Sequence, residues 1–300
     1  MKLVVGSRGS QLALSQTQWV IEKMKTCTPN LEIQIKVIKT KGDRIQNVSL
    51  NQIGGRGVFV KEIEKALIED EIDFAVHSMK DMPSDNPKEL IFAPSPIRED
   101  PRDVLITKHC IKELNQLPQG AKIGTGSKRR KFQLLDYRED FQVVDIRGNI
   151  DSRIKKMFDN NLDGIVLAAA GLKRLNILEH KEYTNIPLPV ETFIPSPTQG
   201  ILGIQMKKEN IALYHLFQKM ADEETNIQAK VERDFLKALN GSCHVPIGAY
   251  CKLDKNQLEL LGVFGDEAGH TLVKKSLKGD IKDVGNIGKT LAKSLLQEVD

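Results

Sequence analysis

Apolar positions change their period from segment to segment along the first eighty residues. Residues 2–7 (KLVVGS) form a short apolar run that predicts a buried strand. Residues 10–25 carry Leu14, Ile21 and Met24 on a helical repeat, with Ser10 as candidate N-cap. Leu31, Ile33, Ile35 and Val37 then alternate with Glu32, Gln34 and Lys36, the period of two of a strand with one buried face. The stretch 40–57, with its GGRG run, keeps neither period and reads as a mobile loop. A helix at 58–70 and a strand at Phe74–His77 complete a β-α-β-α-β order, which predicts parallel strands with right-handed crossovers.

The middle of the chain repeats this plan, with strands expected at 122–126, 141–147 and 164–169 and helices at 127–137 and 149–160. The residues repeat as well. VVGSRGSQLAL at 4–14 is similar to KIGTGSKRRKFQLL at 122–135, and IDFAVHSMKD at 72–81 to LDGIVLAAAGLKR at 162–174. Two similar α/β domains facing one another are therefore expected, with ligands in the crevice beyond the carboxyl ends of their strands. Pro94, Pro96, Pro195 and Pro197 disfavour helix at the residues before them, so 93–101 and 194–200 read as extended hinges. From residue 218 the pattern becomes a charged helix (222–239), the strand-like runs QLELLGVF and HTLVKKSL, and a closing helix at 281–298. Consecutive strands without intervening helices predict a small antiparallel sheet. The expected division is a first α/β domain from 1–97 and 198–217, an inserted α/β domain from 98–197, and a third, α+β domain from 218–300.

Length and composition agree with that division. A chain of 300 residues exceeds what one compact core holds, and 40% hydrophobic with 28% charged residues excludes a disordered or fibrous protein. The longest apolar stretch, Ile165 to Leu172, is far short of the roughly 20 residues that span a bilayer. The N-terminus offers no targeting segment, so a cytoplasmic protein without a membrane partner is expected. Cys27, Cys110, Cys243 and Cys251 form no C-x-x-C pair and no metal-type spacing with the six histidines, which reads as free thiols and no metal. A net charge of +4 is too small to argue for nucleic acid, and no aromatic residue interleaves the basic run near residue 130.

The positions of the arginines change the picture more than their number. Ser7-Arg8-Gly9-Ser10 lies where a strand turns into a helix, a place that offers backbone N–H groups and the positive end of the helix dipole. Arg8 there adds a clamp for a carboxylate or phosphate, although a capped turn with an exposed arginine fits the same residues. The arrangement recurs at Thr125-Gly126-Ser127-Lys128-Arg129-Arg130-Lys131, with neither a Walker loop nor a dinucleotide fingerprint present. Arg147 before Gly148, Arg153 one turn on, Lys173-Arg174, and Arg56 with Lys61 add basic elements at strand ends and loops. Converging on one crevice, they would suit a ligand with many carboxylates. In His77-Ser78-Met79-Lys80-Asp81, the aspartate can act as a general acid or stabilise a developing cation, or it forms a surface salt bridge with His77 in the core. In Gly241-Ser242-Cys243-His244, small neighbours leave the thiol accessible, while an inert cysteine is the competing reading. Adjacent side chains on an extended chain face opposite ways, so Cys243-His244 is not a nucleophile with its base.

In order along the chain, SRGSQLAL, KGD, GGRGVFVKEIE, DFAVHSMKDMP, REDPRD, IGTGSKRR, DIRGNIDSR, LAAAGLKRL, SPTQGILGIQ and NGSCHVPIG resemble the motifs of the hydroxymethylbilane synthase (porphobilinogen deaminase) family. The resemblance implies a transferase that joins four porphobilinogen molecules head to tail, releases ammonia, and yields linear hydroxymethylbilane. It implies a dipyrromethane cofactor in thioether linkage to Cys243, and Asp81 as catalytic residue. It places Lys80, Ser78, Thr125, Ser127, Arg129, Arg130, Arg147, Gly148, Gly171 and Ser242 at the cofactor. Arg8, Ser10, Gln16, Arg56, Phe59, Arg153, Arg174 and Gln199, again with Arg147, fall to the substrate. The implied fold is two doubly wound α/β domains resembling periplasmic binding proteins plus the small C-terminal domain, in a monomer that binds no nucleic acid.

Some positions depart from the family pattern. Arg56 and Gln52 stand where many members have lysines, Gly126 replaces a frequent serine, Lys128 replaces an apolar residue, and the C-terminus is slightly short. The paired α/β domains also admit another reading, a solute-binding module for a small dicarboxylate or phosphate.

Overall fold

The computed structural model describes residues 2–40, 60–178, 181–239 and 245–299. The chain divides into two compact units, Met1–Glu99 with Gly200–Ala229, and Asp100–Gln199 with Lys230–Asp300.

The first unit is built on a five-stranded sheet of order β2-β1-β3-β10-β4. Its strands are β1 (Lys2–Ser7), β2 (Glu32–Val37), β3 (Phe74–Ser78), β4 (Leu90–Ala93) and β10 (Leu202–Lys207). Alternation along the strands sorts side chains to two faces. Leu3, Val5, Phe74 and Val76 pack with Val20, Ile21 and Met24 of α1 (Gln11–Cys27) and with Leu213 and Phe217 of α6 (Ile211–Gln218). Ala75 and Val4 pack on the other side with Ile63, Ala66 and Leu67 of α2 (Lys61–Ile68). Ser10 caps α1 by accepting the Ala13 N–H, as the sequence predicts.

The second unit contains a sheet of the same plan, β7-β6-β8-β5-β9. Its strands are β5 (Asp103–Thr107), β6 (Lys122–Gly124), β7 (Gln142–Val144), β8 (Gly164–Ala168) and β9 (Thr184–Pro187). Leu134 of α3 (Lys128–Tyr137) packs on one face with Leu105, Ile123 and Val166. Met157 of α4 (Ile150–Asp159) and Leu172 of α5 (Ala169–Arg174) pack on the other with Val104, Ile106, Ile165 and Leu167. The same unit holds the antiparallel sheet β11 (Gly248–Asp254), β12 (Gln257–Gly265) and β13 (Leu272–Asp280). Val231 and Phe235, in the second half of α7 (Glu223–Ala238), and Leu239 just beyond it pack on this sheet with Leu291 and Leu295 of α8 (Ile287–Val299). The closing helix starts later than its apolar pattern predicts, because Ile281–Gly285 forms a 3-10 turn capped by Asp280.

Strands β1, β2 and β3 are parallel, as are β6, β7 and β8. The expectation of parallel strands stops there, since β10 runs antiparallel to β3 and β4, and β5 antiparallel to β8 and β9. Neither β5 nor β10 follows its neighbour through a helical crossover, the connection that parallel pairing needs. Both were also hidden from a period-based reading. Every residue of β5, and all but the last of β10, is buried, so no alternation marks them. Residues 94–102 form no helix, strand or turn, and 197–200 are a turn, closed by the Gln199 N–H on the Ser196 carbonyl at 2.9 Å, with Thr198 at φ 61° and Gly200 at φ 92°.

Candidate functional site

Arg8, Ser10, Ser78, Lys80 and Asp81 in the first α/β sheet, and Thr125, Ser127, Arg147 and Gly148 in the second, sit at or just past the carboxyl ends of parallel strands. In the first unit β1 and β3 are neighbours, in register at Val5–Phe74 and Gly6–Ala75, so the turns after them lie side by side. Half-buried Arg8 and Ser10 follow β1. Gln16, one turn into α1, donates from Nε2 to Ser78 Oγ at 2.9 Å, tying the helix to the end of β3. The next three residues form a 3-10 turn. Buried Met79 and Met82 anchor it, and the Met79 N–H donates to the Ile201 carbonyl at 3.0 Å. With its two methionines pointing inward, the turn leaves Lys80 half-buried and Asp81 exposed.

His77 lies beneath this turn, 6% exposed, and its Nε2 has no hydrogen-bond partner. Burial pushes its pKa down to about 4; the Gln205 amide opposes the shift and the Arg8 charge adds to it. The imidazole is therefore neutral at physiological pH. Gln205, fully buried, donates from Nε2 to Glu64 Oε1 at 3.0 Å.

In the second unit the turn after β6 is held by the Thr125 N–H on the Val144 carbonyl at 2.9 Å, and Thr125 Oγ1 accepts the Ser127 N–H at 3.2 Å. Ser127 is the N-cap of α3. A Cβ on Gly126 would stand 2.9 Å from the Ile146 carbonyl oxygen, so a side chain there would force the backbone to shift. The same closeness brings Thr125 and Ser127 beside the turn after β7. There Arg147 Nε lies 3.6 Å from Asp145 Oδ2, and Arg153 Nε donates to the Gly148 carbonyl at 2.7 Å. Gly171 is buried in α5, and Arg174 is half-buried at its last turn.

Arg129 and Arg130, predicted as anion clamps, close on a carboxylate of the protein itself. Asp103, the first residue of β5, is 0% exposed. Arg130 Nε and Nη2 donate to its Oδ1 at 3.1 and 2.7 Å, and Arg129 Nη2 stands 2.8 Å from Oδ2. Gln199 Nε2 adds a hydrogen bond to Oδ1 at 2.9 Å. Burial alone would push the Asp103 carboxyl up; the two guanidiniums and the hydrogen bonds outweigh it and hold the group well below the usual carboxylate range. Arg129, equally buried, is shifted down by burial against the pull of Asp103. Two buried cations against one anion leave this cluster one net positive charge. Gln133, also on α3, exchanges two hydrogen bonds with the Ile194 backbone at 2.8 and 2.9 Å, and Arg129 Nη1 donates to the same carbonyl at 2.6 Å. Asp103 and Gln133 were not singled out from the sequence. The available signal was a charged residue heading the apolar run Val104-Leu105-Ile106, a place where burial demands a partner.

Cys243, Ser242, Arg56 and Phe59, and the loop expected at 40–57 except for its first residue, lie outside the described residues. Among the described residues, no group of three or more His, Cys, Asp or Glu is placed to hold a metal ion, and no helix is long and apolar enough to cross a membrane.

Comparison with known proteins concerns the chain as a whole. Residues 3–215 match the family model described as porphobilinogen deaminase, dipyromethane cofactor binding domain, and 226–297 match the porphobilinogen deaminase C-terminal domain. The porphobilinogen deaminase of Clostridium novyi (strain NT) is 51% identical over 300 residues, covering 100% of both chains. That of Clostridioides difficile (strain 630) is 50% identical over 300 residues, covering 100% of this chain and 99% of its own. Among solved structures, a probable amino-acid ABC transporter extracellular-binding protein from Bacillus subtilis aligns over 73% of this chain and 90% of its own, at 11% identity and a TM-score of 0.44. So distant a likeness assigns no solute-binding role. The two family models and the full-length relatives agree, and the chain belongs to the porphobilinogen deaminase family.

Proposed function

We propose that this chain is a transferase of tetrapyrrole synthesis that condenses four porphobilinogen molecules head to tail, with release of ammonia, into linear hydroxymethylbilane. The observation that carries the reading is the exposed carboxylate of Asp81, in the turn that follows a central strand, in a chain that the family models match over residues 3–215 and 226–297. Loss of ammonia leaves the pyrrole ring electron-poor and positive. A fixed carboxylate lowers the energy of that developing charge, and the same group, carrying a proton beforehand, can hand it to the departing amine and so become that carboxylate. Buried Met79, which opens the turn, and Met82, which follows it, fix Asp81 without covering it.

The residues of the second unit suit the dipyrromethane cofactor of the family. Thr125 and Ser127 bring hydroxyls, Arg147 a cation, and Gly126 leaves the backbone of the turn bare, a donor set matched to acetate and propionate groups. Attached to Cys243, the cofactor supplies the pyrrole carbon to which the first porphobilinogen is joined. Arg8, Arg153 and Arg174 serve the carboxylates of the growing chain, and the net positive charge of the Asp103 cluster favours anions nearby. We further assign the enzyme to the reducing cytoplasm as a monomer, with Cys27, Cys110 and Cys251 as free thiols.

Intact-mass spectrometry of the native protein tests the reading. The expected mass exceeds that of the sequence by two condensed pyrrole units, and Cys243→Ser removes the increment together with ammonia release from porphobilinogen. An unmodified protein with full activity would overturn it.

A further inference from the structure

One stripe of α3 takes no part in the site described above. Lys128, Phe132 and Asp136 recur at every fourth position along it, and each meets the hairpin that joins β12 to β13. Lys128 Nζ lies 3.2 Å from the Glu267 carbonyl oxygen and 3.3 Å from its Oε1. Asp136 Oδ2 accepts from Lys274 Nζ at 2.8 Å, and the same ammonium donates to the Thr192 carbonyl at 3.1 Å. Between the two pairs, Gly269 sits so close to Phe132 that a Cβ on it would fall 2.0 Å from the ring Cε1, and its φ is 82°. Only glycine fits both the contact and the backbone. Asp266 fixes the hairpin tip by accepting the N–H groups of Gly269, His270 and Thr271.

The other side of the same helix carries Arg129, Arg130 and Gln133, fastened to Asp103 and Ile194. The helix is thus gripped by its own sheet on one side and by the C-terminal sheet on the other. The chain on either side of the segment containing Cys243 is also anchored in that C-terminal sheet, through Phe235 and Leu239 before it and Ile247 and Ala249 after it. Side chains of the two ion pairs are 26% and 71%, and 47% and 31%, exposed, so they add little stability. What they fix is register along the stripe. Lys128, the first residue of the helix, is the N-terminal of the two pins.

We propose that the hairpin from Asp266 to Lys274 is a positioning element for the condensation: it holds the N-terminal turn of α3 in a fixed relation to the sheet from which the Cys243 segment departs. The inference rests on the functional reading given above. Misplacement of a binding group by about 1 Å can cost about a hundredfold in rate. Gly269→Ala, made in the full-length holoenzyme, places a methyl group against the Phe132 ring. Expected are an unchanged circular-dichroism spectrum, a kcat lowered about tenfold to a hundredfold, and covalent enzyme–substrate intermediates that accumulate at early stages by intact mass. Gly269→Ala with Phe132→Ala removes the ring and recovers part of the rate. Wild-type turnover in Gly269→Ala, or a loss no larger than the loss of folded protein, would overturn the proposal. If Gly269→Ala does not fold, Lys128→Met with Lys274→Met removes both ion pairs without steric conflict; a smaller early accumulation is expected, and a wild-type pattern of intermediates overturns the idea. A wild-type protein that lacks the two-pyrrole increment and does not consume porphobilinogen would instead refute the functional reading itself.

Discussion

The two α/β sheets share a strand order, yet the ends of equivalent strands carry opposite chemistry. After β3 the chain turns at once, buries Met79, and presents Asp81 to solvent; after β8 it enters a helix whose first residues, Ala169, Ala170 and Gly171, are all buried. The register pairs Phe74 with Val5 in one sheet and Gly164 with Ile123 in the other, so His77 and Leu167 are equivalent positions. One sheet therefore buries an imidazole where the other buries a hydrocarbon. At the first helix of each half the contrast continues: Arg8 is half-buried, whereas Arg129 and Arg130 are sealed against Asp103. The common scaffold supplies bare strand ends and capped helices. The few residues placed on them decide which charged groups a half presents and which it buries.

That contrast breaks most sharply at Asp81. Asp81→Asn is expected to lower turnover of porphobilinogen by roughly a hundredfold to ten-thousandfold, the range of a lost acid–base group. Its chemical denaturation midpoint should stay at the wild-type value, because the side chain is exposed. A stable variant of normal turnover would remove the aspartate from the reaction.

Asp103 should behave in the reverse manner. Asp103→Asn leaves two buried guanidiniums facing each other and is expected to cost about 3–5 kcal/mol of stability in urea unfolding. The native carboxyl is held below its unfolded value, so its contribution is present above about pH 4 and lost as the pH falls below that. The wild type should therefore lose stability below pH 4 more steeply than the variant.

His77 gives a milder and distinct pH signature. Its native pKa of about 4 lies below the ordinary 6.5, so the unfolded chain binds the extra proton first. Stability is complete above pH 6.5 and declines on acidification to pH 4, by about 3 kcal/mol. His77→Leu copies the residue of the other sheet and should flatten this decline, measured as denaturation midpoint against pH. The smallest effect compares the helix caps: Ser10→Ala and Ser127→Ala should each cost about 1 kcal/mol. The loss at Ser127 is expected to be the smaller, since its hydroxyl accepts the Arg130 N–H at 3.5 Å against 3.3 Å for Ser10 and Ala13.

Much of the scaffold was legible because local physics writes it locally. The alternation at Leu31–Val37 and the capped repeat beginning at Ser10 place β2 and α1 without reference to the rest of the molecule. Strands β5 and β10 were not legible, because a strand buried on both faces shows no alternation and its partner lies far along the chain. The turn at 197–200 was hidden too. Prolines announce a break in regular structure, but the left-handed backbone of Thr198 is supported by Glu232 of α7, far along the chain, which accepts its N–H.

By itself the sequence determined the caps, the periodic elements, the repeated α/β plan and the ordered motifs that mark the family, since each is a property of neighbouring residues. Tertiary structure alone decided what the basic residues face. Whether an arginine at a helix start meets solvent, a ligand or an internal carboxylate depends on which strand the sheet lays beside it. Asp103 and Arg130 are 27 positions apart, and only the antiparallel entry of β5 next to β8 brings them within 2.7 Å.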